Sequence, residues 1–190
     1  MDAASRSGDF YTPAAKRFDE GEDTKKLLAE STKISDLDPA AVDVVFVAGG
    51  HGAVADLATD PSVASFLVAI AHAGRAPVAS VCHGVIALVA SDDTAARFVR
   101  GKRLTGFSDA EERAVDKVAL MGGPDKTLEA RLRAVGGLYS SGPDWAPHVV
   151  TDGLVVTGQN PASSAETAAA AIKAAAAPLT PGEVPRGGVE

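Results

Sequence analysis

A single α/β domain built on a mostly parallel sheet is the fold class this sequence predicts, and three observations carry it. Short apolar, β-branched runs alternate with segments patterned as helices, an order that covers a sheet on both faces. Glycine-bearing turns follow two of those runs, at Ala48-Gly49-Gly50-His51-Gly52 and at Cys82-His83-Gly84. The 190 residues, 46% of them hydrophobic, suffice for one domain with a real core and too little for two. The domain is expected to occupy residues 1–178, with 179–190 as a disordered tail.

Along the chain, residues 1 to about 13 are small and polar and read as a surface lead-in. Pro13 to Leu28 reads as one helix with Phe18, Leu27 and Leu28 on its apolar side and Pro13 in its first turn. After a connector over 31–38, Val42 to Val47 is the clearest strand, and Pro61 to Ala73 a helix closed by Gly74. Ala76 to Val81 is short, apolar and β-branched, as a strand buried on both faces should be, and Val85 to Ala90 continues it as a helix. Leu104 to Phe107 is a weaker strand, and Thr127 to Val135 a helix ended by two glycines. Val149 to Thr157 reads as a hairpin turning at Asp152-Gly153, and Ser163 to Ala177 as an alanine-rich helix.

Composition excludes several classes of function. A net charge of -7 and a pI near 5.1, with no dense Lys/Arg cluster, argue against a nucleic-acid surface. No apolar run approaches the roughly 20 residues of a membrane span, and the first residues lack a signal peptide's basic and apolar regions. One cysteine permits no internal disulfide. A cytosolic protein acting on a small molecule or on other proteins is the expectation. Nor do the four histidines, 51, 72, 83 and 148, form an i,i+4 pair or a Cys-x-x-Cys partnership, so no metal site is expected. The glycine turn has neither a P-loop ending nor dinucleotide-fold spacing, and no cofactor is expected.

The sole cysteine stands where an apolar strand breaks into a turn and helix, the place where α/β proteins present a nucleophile. His83 beside Cys82 and a positive helix end beneath it both favour thiolate over thiol. Because the Gly49-Gly50 turn follows a neighbouring parallel-type strand, its carboxyl end should lie beside the cysteine turn. The amides of Gly50 and His83 are then natural donors to an oxyanion formed when Cys82 attacks a carbonyl, with His51 at the same edge. A thiol–imidazole pair works best when a third group orients the ring; Asp109, after the next strand, is the in-chain candidate, with helix capping as its alternative role. Trp145, the only tryptophan, either walls the pocket or fills core, His148 lines a cleft or sits at the surface, and Asn160 either binds substrate or caps the last helix.

The segments VDVVFVAGGHGAVADLA, PVASVCHG, VRGKRLTGFSDAEE and GPDWAPHVVTDGLVVTGQNPASS, with SRSGDFYTPAAKRF before them, resemble the ThiJ/PfpI superfamily and its glutathione-independent glyoxalase (D-lactate dehydratase) and Hsp31-like branch. Together they span nearly all of residues 5 to 173. The resemblance implies a flavodoxin-like three-layer sandwich of the class I glutamine amidotransferase type, with Cys82 at a nucleophile elbow. It implies conversion of methylglyoxal or a similar 2-oxoaldehyde to a hydroxy acid, related deglycating activity on glycated proteins, or a holding-chaperone role toward unfolded chains, in a homodimer without a dissociable cofactor. It also implies that a strand, a glutamate-bearing turn, a helix and a second strand stand before the segment that opens this chain. The family's acidic proton-transfer residue has no counterpart at any matching position, so an in-frame continuation upstream of Met1 is expected, with an inactive shortened member as the alternative. An amidase or peptidase of the same fold fits less well, since it wants a late His-x-Glu pair and His148 is followed by Val149-Val150.

Overall fold

The computed structural model describes Arg6 and residues 11–177; the expected tail over 179–190 and most of the lead-in lie outside the described residues. The chain divides into a small unit ending at Leu37 and a larger one from Asp38. The small unit contains two helices, α1 (Pro13–Glu20) and α2 (Glu22–Ala29), where the sequence suggests one. Thr12 caps α1 by accepting the Ala15 N–H, and Gly21 then leaves helical geometry with φ -67° and ψ 128°. No residue of either helix is buried.

The larger unit opens with β1 (Val45–Val47), the glycine turn, a single helical turn α3 (Ala53–Asp56) and α4 (Pro61–Ala73). Asp60 caps α4 through the Ser62 N–H, and Gly74 ends it at φ 66°, a conformation glycine adopts without steric cost. Then come β2 (Val78–Val81), buried at every position, and a 3₁₀ helix over Cys82–Val89 where an α-helix was expected. The chain continues through α5 (Asp92–Phe98), β3 (Arg103–Leu104), α6 (Asp109–Ala114), α7 (Leu128–Ala134), β4 (Leu138–Tyr139), β5 (Val149–Asp152), β6 (Val155–Gly158) and α8 (Ser164–Ala176).

The main sheet has the order β1-β2-β6-β5. β1 and β2 pair in parallel with Val47 opposite Ser80, β2 and β6 in parallel with Val81 opposite Gly158, and β5 closes the sheet antiparallel to β6. The β5–β6 hairpin turns on Gly153 (φ 58°) and Leu154, one residue later than the sequence suggests, because Asp152 still pairs with Val155. β3 and β4 form a separate parallel pair. With two residues, β4 is too short to leave an alternation signal in the sequence.

Ala79, Val156 and Ala171 centre a cluster that seats α8 on one face of the sheet. On the other face the Thr157 hydroxyl accepts the Thr105 N–H at 2.9 Å, tying the β3 segment down. Val85, Ile86 and Leu88 are wholly buried, and each contributes about 2 kcal/mol by leaving water. That burial holds the segment carrying Cys82 against the sheet, so the turn is anchored from its carboxyl side.

Candidate active site

Parallel pairing of β1 with β2 brings both glycine-bearing turns to the carboxyl edge of the sheet, where open α/β sheets hold their ligands. The two turns touch. A Cβ built on Gly49 lies 2.6 Å from the Val81 carbonyl oxygen and 2.8 Å from Cys82 Cβ, so only glycine lets the loops close to this distance. Gly49→Ala is therefore expected to destabilise the fold by about 1–3 kcal/mol through overpacking at a rigid backbone. Thermal melting checks this, and a variant melting like the parent would show that the turns can separate freely.

Cys82 adopts φ 57°, a left-handed backbone that costs a non-glycine residue about 1–2 kcal/mol. At that residue the chain leaves β2 and turns at once into the 3₁₀ helix. The backbone amides of His83 and Gly50 act to favour the thiolate. Yet burial outweighs them and pushes the thiol up to about 11, with the Glu111 and Glu112 carboxylates adding to the rise. Burial thus outweighs the features that favour the thiolate, and at neutral pH Cys82 is a protonated, buried thiol. Alkylation by iodoacetamide should be roughly a hundredfold slower at pH 7 than for a free thiol, and should keep rising to pH of about 11. A rate plateau near pH 7 would contradict it. Native-state stability from this group is full below the ordinary thiol pKa and is lost as pH rises through about 11.

The Cys82 Sγ lies 3.4 Å from His83 Nδ1, and His83 Nε2 lies 2.7 Å from Glu112 Oε2. A carboxylate accepts only, so Nε2 carries the ring proton and Nδ1 is left to accept from the thiol. Desolvation lowers the His83 pKa, while the Glu112 contact opposes that. The ring is thus held neutral, the state a base requires, beside a carboxylate that stabilises it once it takes the proton. Stability from this group is present above the ordinary histidine pKa and is lost as pH falls through its lower native value.

Glu112, and not Asp109, is the carboxylate on His83. Both lie on α6, three residues apart, and the register of that helix decides which faces the ring. Asp109 is the first helical residue; its N–H donates to Glu129, and its Oδ1 is buried with no hydrogen-bond partner. It does not cap the helix either, since Ser108 does so in a reciprocal capping box with Glu111. That Ser-x-x-Glu pattern was legible in the sequence, and counting on from it locates the first turn that presents Glu111 and Glu112.

The other Glu112 oxygen, Oε1, lies 2.8 Å from His51 Nε2. His51 stacks on His83 with ring centroids 4.0 Å apart, so it supports the carboxylate and the ring while remaining partly exposed. His51, His83 and Glu112 bring three ligand-type atoms within 4.8 Å of one another, although their spacing in sequence carries no metal signature. In the described geometry each is hydrogen-bonded to another member of the set. Trp145 stands 5.9 Å from Phe107, whose ring is 4.5 Å from His83. Asn160 is wholly buried. Its Nδ2 donates to Glu111 and to the Ala146 carbonyl, and its Oδ1 accepts from Ser163, which leaves no polar atom for a substrate. His148 turns its Nε2 to the Ser140 hydroxyl at 3.2 Å, away from any partnership with the thiol.

The fold and site define a mostly parallel α/β protein with a thiol–imidazole–carboxylate chain at a strained strand-to-helix turn. A model of the DJ-1/PfpI family matches residues 19–174, and the chain belongs to that family, with its flavodoxin-like, class I glutamine amidotransferase-like fold. Glyoxalase 3 of Candida albicans is 33% identical over 141 residues, covering 72% of this chain and 59% of that protein. A probable glutathione-independent glyoxalase of Schizosaccharomyces pombe is 31% identical over 157 residues, covering 81% and 70%. The chain therefore spans about six-tenths to seven-tenths of the length of these two relatives. Among solved structures, glyoxalase III from Candida albicans superimposes with a TM-score of 0.79 at 28% identity, covering 92% of this chain and 75% of that one. Rapid Encystment Protein 24 KDa of Francisella tularensis gives a TM-score of 0.82, also at 28% identity and covering 92% and 76%. Among the described residues, no helix is long and apolar enough to cross a membrane.

Proposed function

We propose that this chain carries the catalytic site of a glutathione-independent glyoxalase, converting methylglyoxal or a related 2-oxoaldehyde to a 2-hydroxy acid. The observation that carries the reading is the Cys82–His83–Glu112 chain at a strained elbow. His83 takes the thiol proton as Cys82 adds to the aldehyde carbon, and the resulting imidazolium is stabilised by Glu112. The new C–S bond makes a hemithioacetal whose oxygen, negative as it forms, lies within reach of the Gly50 and His83 amides. Once the imidazolium has returned its proton to that oxygen, neutral His83 carries the proton from that carbon to the adjacent carbonyl carbon, and with the hydroxyl proton passing to the second oxygen the adduct becomes a thioester. Water then cleaves the C–S bond, releases the hydroxy acid and restores the thiol. The adjacent carbons exchange oxidation levels internally, so no external oxidant or reductant enters.

Methylglyoxal consumption measured without glutathione, with lactate quantified as product, tests this. Lactate formed in step with aldehyde loss supports the reading, and an absolute requirement for glutathione sinks it. The homodimer and any action on glycated proteins remain parts of the proposal, to be read from sedimentation and from release of glycated thiols.

A holding-chaperone role is a second reading, favoured by the exposure of Phe18, Leu27 and Leu28 on α1 and α2. Helices without a buried face present apolar surface to other chains. Suppression of heat aggregation that persists in Cys82→Ala would separate this activity from the chemistry of the thiol.

A further inference from the structure

Glu111 is the second buried carboxylate of α6, and the chemistry proposed above does not use it. Its two oxygens take four hydrogen bonds. Oε2 accepts from the Ser108 N–H at 3.2 Å and the Ser108 hydroxyl at 3.1 Å, while Oε1 accepts from the Trp145 N–H at 2.9 Å and from Asn160 Nδ2 at 2.8 Å. Asn160 Nδ2 also reaches the Ala146 carbonyl at 2.8 Å. One carboxylate oxygen thus ties α6, the approach to α8 and the loop over 143–147 together. A buried charge persists only with bonding of this kind.

The bonds converge on an unusual residue. Trp145 holds φ 63°, a left-handed backbone for a bulky side chain, and the residue is 44% exposed. Neither feature lowers the free energy of the fold by itself, and residues kept in such states cluster at functional sites. The indole meets Phe107 edge to face at 5.9 Å, and Phe107 lies 4.5 Å from His83, so the aromatic series runs outward from the base beside Cys82.

We propose that Glu111 is the positioning residue that holds Trp145 as the outer aromatic wall of the Cys82 site, where the indole receives the apolar substituent of a 2-oxoaldehyde. The substrate part rests on the glyoxalase reading; the anchoring part does not. A flat aryl group gains contact with an indole that a methyl group cannot match. Phenylglyoxal is therefore the better substrate, and methylglyoxal the reference.

Trp145 is the only tryptophan, so its emission and its quenching by acrylamide report on this loop alone. In E111Q an amide N–H₂ replaces an acceptor facing two donors. Emission should shift to the red, quenching should increase, and the phenylglyoxal-to-methylglyoxal ratio of kcat/KM should fall about tenfold, chiefly through KM. W145A should lose the same ratio. N160S, which keeps the Glu111 carboxylate but removes the amide donor to it and to Ala146, should move emission in the same direction as E111Q and carries the test if E111Q does not melt cooperatively. Parental emission and quenching in the folded variants overturn the anchor. An unchanged substrate ratio in W145A overturns the wall. Should the parent chain consume neither aldehyde, the glyoxalase reading and the aryl preference both fall, while emission still decides the anchor.

Discussion

A Cys82→Ala chain is expected to consume no 2-oxoaldehyde above the uncatalysed rate while keeping its fold. In the proposed mechanism the thiol, beside His83, is the attacking group, and neither His83 nor Glu112 can replace the C–S bond on which the proton shift depends. Alanine keeps the Cβ, and with it the backbone geometry at φ 57°, so the change in stability should be about 1 kcal/mol, in the range of small buried truncations. Lactate formation and thermal melting on the same preparation measure both. Residual turnover within tenfold of the parent would remove Cys82 from the mechanism.

Glu112→Gln should lower turnover by roughly 10²–10⁴-fold. The carboxylate accepts from two imidazoles at 2.7 and 2.8 Å, and an amide can accept from only one of them. If the amide N–H₂ faces His83, the ring must take the other tautomer, and Nδ1 then presents a proton to the thiol where it should accept one. If instead the amide oxygen faces His83, the tautomer survives but the imidazolium loses its counter-charge. Either outcome raises the barrier to thiolate formation in a pocket that already opposes it. Asp109→Asn, by contrast, alters a side chain that makes no bond to His83 and should leave turnover within about threefold of the parent. The reverse ranking would return the orienting role to Asp109.

Much of the site was legible because it is local. Cys82 and His83 are adjacent in sequence, and the break from Val81 into Gly84 marks the elbow. The Gly49-Gly50 turn is legible for the same reason, and its position beside the elbow follows from pairing two consecutive apolar strands in parallel. Gly21 shows the limit of periodicity: helix-forming residues continue through it, yet the backbone turns extended there and one expected helix becomes two.

The third member of the chain was not legible as such. Asp109, Glu111 and Glu112 all lie within one helical turn and are chemically alike. Only the angle at which α6 meets the elbow sends Glu112 to the histidines, Glu111 to the Trp145 loop, and Asp109 to neither. Asn160 shows the same limit, because its polar side chain reads as a ligand contact until the tertiary structure engages both ends of it within the protein.

By itself, the sequence determined the class of sheet, the elbow and the cysteine that stands on it, because these depend on residues a few positions apart and on the periodicity of burial. Only the tertiary structure shows the burial that opposes ionisation of that thiol. Neighbouring histidine and helix geometry argue for a thiolate, but desolvation depends on everything packed around the sulfur, and here it outweighs the hydrogen bonds that the local sequence supplies. Which carboxylate faces the base was settled at the same level, since helix register and packing angle arise from contacts between segments far apart in the chain.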